Sequence, residues 1–123
     1  MRWFVPLMIA LCVALPSPVR ATRFTRIIVW NFTTHCMSVG VQQQGRHPNK
    51  HYGPFSPRVE FDRVFTVAGD VDVTYYIEAL LDDCDTKRPI YVDLHIAERR
   101  NGSGYISLQV LPKGTGYELK PFP

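Results

Sequence analysis

Two cysteines, Cys36 and Cys84, are the residues of this sequence whose type and spacing say most about its chemistry. A small domain outside the reducing cytoplasm most simply joins two such cysteines as a disulfide, which here would close a loop of roughly 48 residues. The alternative is a pair of free thiols, which an oxidising compartment disfavours. We therefore predict a Cys36–Cys84 bridge if the chain leaves the cytoplasm.

The first 21 residues indicate that it does. Arg2 precedes an apolar run that ends near Leu15, and small residues lead up to Ala21. This is the pattern of a secretory signal peptide, and the run is too short to span a bilayer comfortably. We expect residues 1–21 to be removed and a single mature domain, residues 22–123, to be secreted without a membrane span. The leader also takes away the third cysteine.

Removal of the leader changes the charge balance of the protein. The whole chain carries a formal charge of +3, but the leader contains two arginines and no acidic residue, so the mature domain is close to neutral. Its basic residues form only short groups such as Arg99-Arg100, whereas a nucleic-acid surface needs them clustered on one face. The sequence therefore predicts no nucleic-acid partner.

Two tripeptides, residues 31–33 and 101–103, match the acceptor sequence for N-glycosylation. Asn101 is expected at an accessible turn. Asn31 is expected on a strand, facing away from the side that carries Trp30. Asn31 and Asn101 are therefore candidate glycosylation sites, although a plain turn role explains Asn101 equally well.

Metal-binding patterns are weak. His47 and His51 have the spacing of two ligands on one helical face, but neighbouring proline and glycine residues argue for a loop, and no third ligand is evident. Asp82, Asp83 and Asp85 have oxygen atoms suited to Ca²⁺, yet their order matches no EF-hand loop, which favours an exposed acidic turn. We predict no metal site and no cofactor.

Catalytic patterns are weaker still. The sequence contains no Gly-x-Ser-x-Gly nucleophile elbow, and a disulfide would leave no cysteine in the mature domain free to act as a nucleophile. We therefore name no catalytic residue and expect a protein that is not an enzyme.

The dominant hydrophobic period is two, which is typical of strands with one buried and one exposed face. A long example runs from Val71 to Leu81, where apolar residues alternate with mostly polar ones. Seven strands are predicted on this basis: Arg26–Thr33, Cys36–Gln43, Arg58–Val67, Val71–Leu81, Ile90–Glu98, Gly104–Leu111 and Tyr117–Lys120.

Turn residues separate these strands. Asn101-Gly102 and Ala68-Gly69-Asp70 each predict a hairpin between the strands that flank them. Residues 44–57 are predicted as a long loop because of their proline and glycine content, and residues 82–89 as a crossover between the two hairpins. Residues 112–123 form a tail rich in proline and glycine.

About seven short strands and no helical stripe predict an all-β fold, a small antiparallel β-sandwich of about six or seven strands with one disulfide and an immunoglobulin-like architecture. The predicted core is Ile28, Trp30, Phe32, Val39, Val41, Phe61, Phe65, Val73, Tyr75, Ile77, Val92, Leu94, Ile96, Ile106 and Leu108.

An ordered set of short motifs resembles the nematode transthyretin-like family. An apolar strand runs into Cys36, a Phe-x-Val-x-Gly segment begins at Phe65, two leucines and two aspartates precede Cys84, and a Tyr-x-x-Leu strand begins at Tyr105. The resemblance implies a secreted transthyretin-like β-sandwich that acts by binding, in extracellular signalling or host contact. Secreted effectors of plant-pathogenic fungi, which bind host proteins, share the leader, the β-sandwich and the single disulfide, and they are the alternative.

A contact surface is indicated by large side chains on otherwise polar strand faces. Tyr76 and Leu80 lie on the polar side of one predicted strand and Tyr91 on the polar side of another. If the strands are neighbours, these residues form an apolar patch suited to an interface; otherwise the long loop covers them. The expected partner is an extracellular or host protein, or a small apolar ligand, and the sequence leaves the oligomeric state open.

Overall fold

The computed structural model describes residues 22–44, 50–68 and 72–123, and in these residues all regular structure is β-strand. The leader lies outside the described residues. The strands are β1 (Thr22–Asn31), β2 (Cys36–Gln43), β3 (Lys50–Phe55), β4 (Phe61–Ala68), β5 (Asp72–Asp82), β6 (Pro89–Asn101), β7 (Gly104–Lys113) and β8 (Gly116–Pro121). Among the described residues there is no helix with the length and apolar character needed to cross a membrane.

The eight strands form two sheets of four. The first sheet has the order β4-β1-β7-β8 and the second the order β3-β2-β5-β6. Every neighbouring pair is antiparallel except β1 and β7, which run parallel. The predicted all-β sandwich is confirmed, with eight strands and this one parallel pair. Because β1 and β2 lie in different sheets, the order differs from that of constant-type immunoglobulin domains, where the first two strands share a sheet.

The core lies between the two sheets and is built from alternate residues of the strands. Tyr75 and Phe61 are its largest fully buried side chains. Full burial of one such side chain contributes about 1.5–3 kcal/mol, so the alternation supplies most of the driving force for this fold. Predicted core residues confirmed there are Val39, Val41, Phe61, Val73, Tyr75, Ile77, Leu94, Ile106 and Leu108, with Phe65 and Ile96 partly buried. Ile28 is also buried, but outside the core between the sheets.

The disulfide forms as predicted. Cys36 is the first residue of β2 and Cys84 lies in the turn between β5 and β6, with 5.2 Å between their Cα atoms. β2 and β5 are paired neighbours, and Cys36 lies opposite Asp82. The bridge therefore links the β5–β6 turn to the start of β2 within one sheet.

The prediction of a loop over residues 44–57 is wrong at its C-terminal end, where β3 pairs with β2. β3 is an edge strand, with no neighbouring strand on its open side. A proline such as Pro54, which lacks a backbone N–H, is tolerated in a strand of this kind. Gly53 supplies a φ of 103°, which disfavours other residues. The side chains of Tyr52 and Phe55 pack against the core.

Both predicted hairpins are wrong. β6 and β7, on either side of Asn101-Gly102, lie in different sheets, and so do β4 and β5. The segment predicted as a crossover, residues 82–89, is instead the turn of the β5–β6 hairpin. Turn residues mark where the chain reverses, but they do not say whether the next strand pairs beside the first or crosses to the opposite layer.

In two strands, β1 and β6, the side chains that lie in the core differ from the predicted ones. In β1 the inward side chains are Ile27 and Val29, so Trp30 is only partly buried and Phe32 is exposed. The misassignment has a physical cause. Ile28 on the outer face is only 4% exposed, so β1 is apolar on both sides and its pattern has no clear phase.

In β6 a register shift opposite Ala79–Leu81 places an extra residue in the strand. A bulge of this kind reverses which side chains face the core. Val92, predicted in the core, is therefore half exposed. Tyr91 lies opposite the buried Leu81 and packs against the core.

Replacing both cysteines by serine should lower the free energy of unfolding by about 4 kcal/mol, because the bridge restricts a loop of this length in the unfolded chain. Denaturant unfolding of the oxidised protein and the Cys36→Ser/Cys84→Ser variant measures the difference. Equal midpoints for the two proteins would contradict this role of the disulfide.

Candidate functional site

The outer side of the first sheet carries a concentration of exposed apolar side chains, which we call the aromatic face. Its members are Phe24, Trp30, Phe32, Val64, Tyr105 and Phe122. Four of the eight large apolar residues exposed among the described residues belong to it. Apolar groups gathered on one surface, rather than scattered singly, mark contact sites.

Arg26 lies in the middle of the aromatic face. Its guanidinium donates two hydrogen bonds to the Asp62 carboxylate, Nε to Oδ1 at 2.9 Å and Nη2 to Oδ2 at 2.5 Å. The same group lies 5.8 Å from the ring centroid of Tyr105, its neighbour on β7. Hydrogen bonding to Arg26 lowers the pKa of Asp62 below its usual range. The pairing holds a charged, planar group in a fixed position beside the Tyr105 ring.

The C-terminal residues complete one end of the aromatic face. The Phe122 N–H donates to the Ser107 carbonyl at 2.9 Å, which extends the pairing between β7 and the tail. The Phe122 ring then packs near Trp30 and Phe32, at centroid distances of 5.8 and 5.7 Å. Beside them lies an open depression of about 430 Å³ that Tyr105 also lines.

This surface was not predicted, because the predicted core includes Trp30 and Phe32. A signal was present in the alternation of Phe24, Arg26, Ile28 and Trp30, which places an exposed arginine on the same side as the aromatic rings. Reading the strand from its charged residue instead of its apolar ones would have found the face.

The predicted contact patch of Tyr76, Leu80 and Tyr91 is only partly assembled. β5 and β6 are neighbours, and Tyr76 and Leu80 lie on the outer side of the second sheet. Tyr91 instead lies between the sheets, with its ring 5.6 Å from that of Tyr117. Tyr76 lines a shallow groove of about 420 Å³ on that outer side.

Asn31 does not face outward as predicted, because its side chain is 3% exposed. Its Oδ1 accepts hydrogen bonds from the Thr33 N–H at 3.0 Å and the Thr33 hydroxyl at 2.6 Å, and its Nδ2 donates to the His35 carbonyl at 2.8 Å. These bonds shape the turn that leads into Cys36. The Asn31 side chain is therefore buried and hydrogen-bonded within this turn. Asn101, in contrast, is exposed.

The acidic turn around Cys84 is organised by Asp83. Its Oδ1 accepts hydrogen bonds from the backbone N–H groups of Thr86 and Asp85, each at 2.9 Å. These bonds favour the ionised form, so they lower the pKa of Asp83 below its ordinary range. The carboxylate thus has a structural partner already, which agrees with the expectation of a turn.

Of His47 and His51, which have the spacing of metal ligands, only His51 lies in the part of the chain that the structure describes. His51 lies exposed on β3, and His47 lies outside the described residues. Within the ranges that the structure describes, no group of three or more histidine, cysteine, aspartate or glutamate residues is arranged to hold a metal ion.

Comparison with known proteins adds no assignment. No model of a known protein family matches the sequence, and no curated protein matches it either. The surfaces described above are therefore the basis of the function proposed below.

Replacing Asn31 by alanine should lower the free energy of unfolding by about 1–3 kcal/mol, because buried partners in the turn lose their hydrogen bonds. Asn101→Ala, at an exposed position, should change stability by less than about 0.5 kcal/mol. In a glycosylating eukaryotic host we expect the Asn101 variant, and not the Asn31 variant, to lose carbohydrate mass. Carbohydrate on Asn31 of the folded protein would contradict the assignment.

Because the pKa of Asp83 is lowered in the folded protein, the free energy of unfolding depends on pH. A carboxyl whose pKa is lower in the folded chain stabilises the fold above its unfolded value of about 3.9 and loses that contribution as pH falls through the folded value. Asp83→Asn keeps the acceptor oxygen but cannot ionise. Its stability should therefore fall less between pH 5 and pH 2 than that of the wild type or of the neighbouring Asp85→Asn control, as followed by thermal unfolding.

If Asp83→Asn and the wild type lose stability in parallel over that range, the hydrogen bonds to Asp83 do not favour its charged form.

Proposed function

We propose that the chain is a secreted, non-enzymatic binding protein of transthyretin-like type, whose aromatic face contacts a partner protein in extracellular signalling or at a host surface. The observation that carries the proposal is the concentration of exposed aromatic side chains around Arg26 on one outer sheet face. The disulfide supports an oxidising compartment, in agreement with the predicted leader.

The composition of the aromatic face favours a protein as the partner. Tryptophan, tyrosine, phenylalanine and arginine are the residues enriched at the centres of protein interfaces, where tryptophan, tyrosine and arginine carry most of the binding energy. Here Arg26 has its carboxylate partner already in place, so binding would not leave its charge unpaired.

The shape of the aromatic face also favours a protein as the partner. A small-molecule site encloses most of its ligand in a cleft or cavity. The aromatic face is the outer side of a sheet, and the depression near Trp30 and Phe122 is open to solvent. A surface of this shape can be covered by another macromolecule, whereas it would leave much of a small apolar ligand in water.

Secretion is tested by the mass of the product released from a eukaryotic host that expresses the whole chain. We expect a product beginning at Thr22 with a mass two hydrogens below that of the reduced chain. A product that stays in the cell and retains residues 1–21 would contradict the proposal.

Binding is tested by a matched pair of variants. Phe24→Ser/Tyr105→Ser removes two exposed rings from the aromatic face, and Ile90→Ser/Val92→Ser removes two similarly exposed side chains from the second sheet. A partner captured from extracellular or host fluid by the wild type, once purified, should bind the first variant at least about tenfold more weakly and the second with unchanged affinity. Dissociation constants from surface plasmon resonance give the comparison.

Unchanged affinity for the Phe24→Ser/Tyr105→Ser variant would contradict the proposal, provided that its circular dichroism spectrum remains that of the wild type. A captured partner from an infected plant would favour the fungal effector alternative. A captured partner from nematode extracellular fluid or from an animal host would favour the transthyretin-like type. Binding of an apolar small molecule with loss in the same variant would replace the protein partner by a ligand.

A further inference from the structure

A row of four residues crosses the outer side of the second sheet, one from each strand. Gly40 on β2 lies opposite His51 on β3 and opposite Glu78 on β5, and Glu78 lies opposite His95 on β6. Directly opposed residues of neighbouring strands share a face, so the four positions lie side by side. The row runs through the shallow groove that Tyr76 lines.

Gly40 makes room in this row for the side chain of Glu78. A Cβ atom at position 40 would lie 2.7 Å from Glu78 Oε1 and 2.9 Å from Glu78 Cγ, which is too close for any side chain to fit without displacement. The glutamate therefore lies across the glycine and low on the sheet. Its Oε1 is 3.8 Å from His51 Nδ1.

Among the described residues, Glu78 differs from four other strand carboxylates in having no arginine or lysine as its salt-bridge partner. Asp62, Asp72, Glu98 and Glu118 each lie within ion-pair distance of an arginine or lysine. Among the described residues, the salt-bridge partner of Glu78 is an imidazole beyond hydrogen-bond distance.

A second carboxylate lies near the rim of the groove, in addition to that of Glu78. The Asp93 carboxylate lies 3.0 Å from His95 Nε2, next to the groove. The described residues that line the groove include no lysine or arginine. Tyr76, which is 45% exposed, and Ala97 supply an apolar wall, and Gln42 supplies an amide.

We propose that this groove binds an arginine side chain of a partner protein. A guanidinium is planar, pairs with a carboxylate through two hydrogen bonds and stacks on an aromatic ring. Glu78 provides the carboxylate, Tyr76 provides the ring, and Gly40 provides the space in which the Glu78 side chain lies. The site lies on the layer opposite the aromatic face and does not depend on the proposed function.

The test uses N-acetyl-arginine methylamide as the probe and its neutral isostere N-acetyl-citrulline methylamide as the ligand control. Titration followed by ¹H–¹⁵N NMR should move the amide signals of Gly40, Tyr76 and Glu78 in a saturable way with the arginine probe only. Glu78→Gln should weaken binding about tenfold, because a charge-assisted pair becomes a neutral one. Glu60→Gln, at an exposed carboxylate outside the groove, should leave it unchanged.

Equal shifts with the citrulline probe, or equal loss of binding in the Glu60→Gln variant, would overturn the proposal. The ligand control needs no mutation, so it decides the question even if Glu78→Gln disturbs the fold. The Phe24→Ser/Tyr105→Ser variant should bind the arginine probe as the wild type does, which separates failure of this site from failure of the aromatic face.

Discussion

The parallel pairing of β1 with β7 is the constraint on which the rest of this structure depends. It joins the start of the domain to its end and places β1 in the middle of the first sheet, between β4 and β7. It also sets Arg26 beside Tyr105 and brings the tail residue Phe122 near Trp30. Because β7 pairs with β1 on one edge and with β8 on the other, it has no edge left for β6, and the chain must cross between the sheets at Asn101-Gly102.

The two outer faces that result have different chemistry although they belong to one small domain. The first carries aromatic rings around an arginine that is already paired with Asp62. The second carries Glu78 lying over Gly40, with only a distant imidazole as its salt-bridge partner in the described residues. Alternation along the strands produces both faces, since successive side chains lie by turns in the core and on the outer side of the sheet.

Much of the interior could be predicted from the sequence because burial leaves a period-two pattern, as in the stretch from Val73 to Leu81. The pattern predicted the wrong inward face where both sides of a strand are buried, as around Ile28. It did so again where an extra residue in the strand changes which side chains face the core, as before Leu94. Turn residues such as Gly102, with φ of 79°, marked reversals correctly but not the layer that the next strand joins. The aromatic face depends on both kinds of information, so local sequence reasoning missed it.

The most direct test of this account is a nuclear Overhauser spectrum of the secreted, oxidised protein. We predict a parallel ladder of backbone contacts between β1 and β7, with Ile27 opposite Ile106 and Val29 opposite Leu108. A β6–β7 hairpin with Asn101-Gly102 as its turn, and no contacts between β1 and β7, would contradict the account. In that arrangement Tyr105 would not lie beside Arg26, and the aromatic face would not exist.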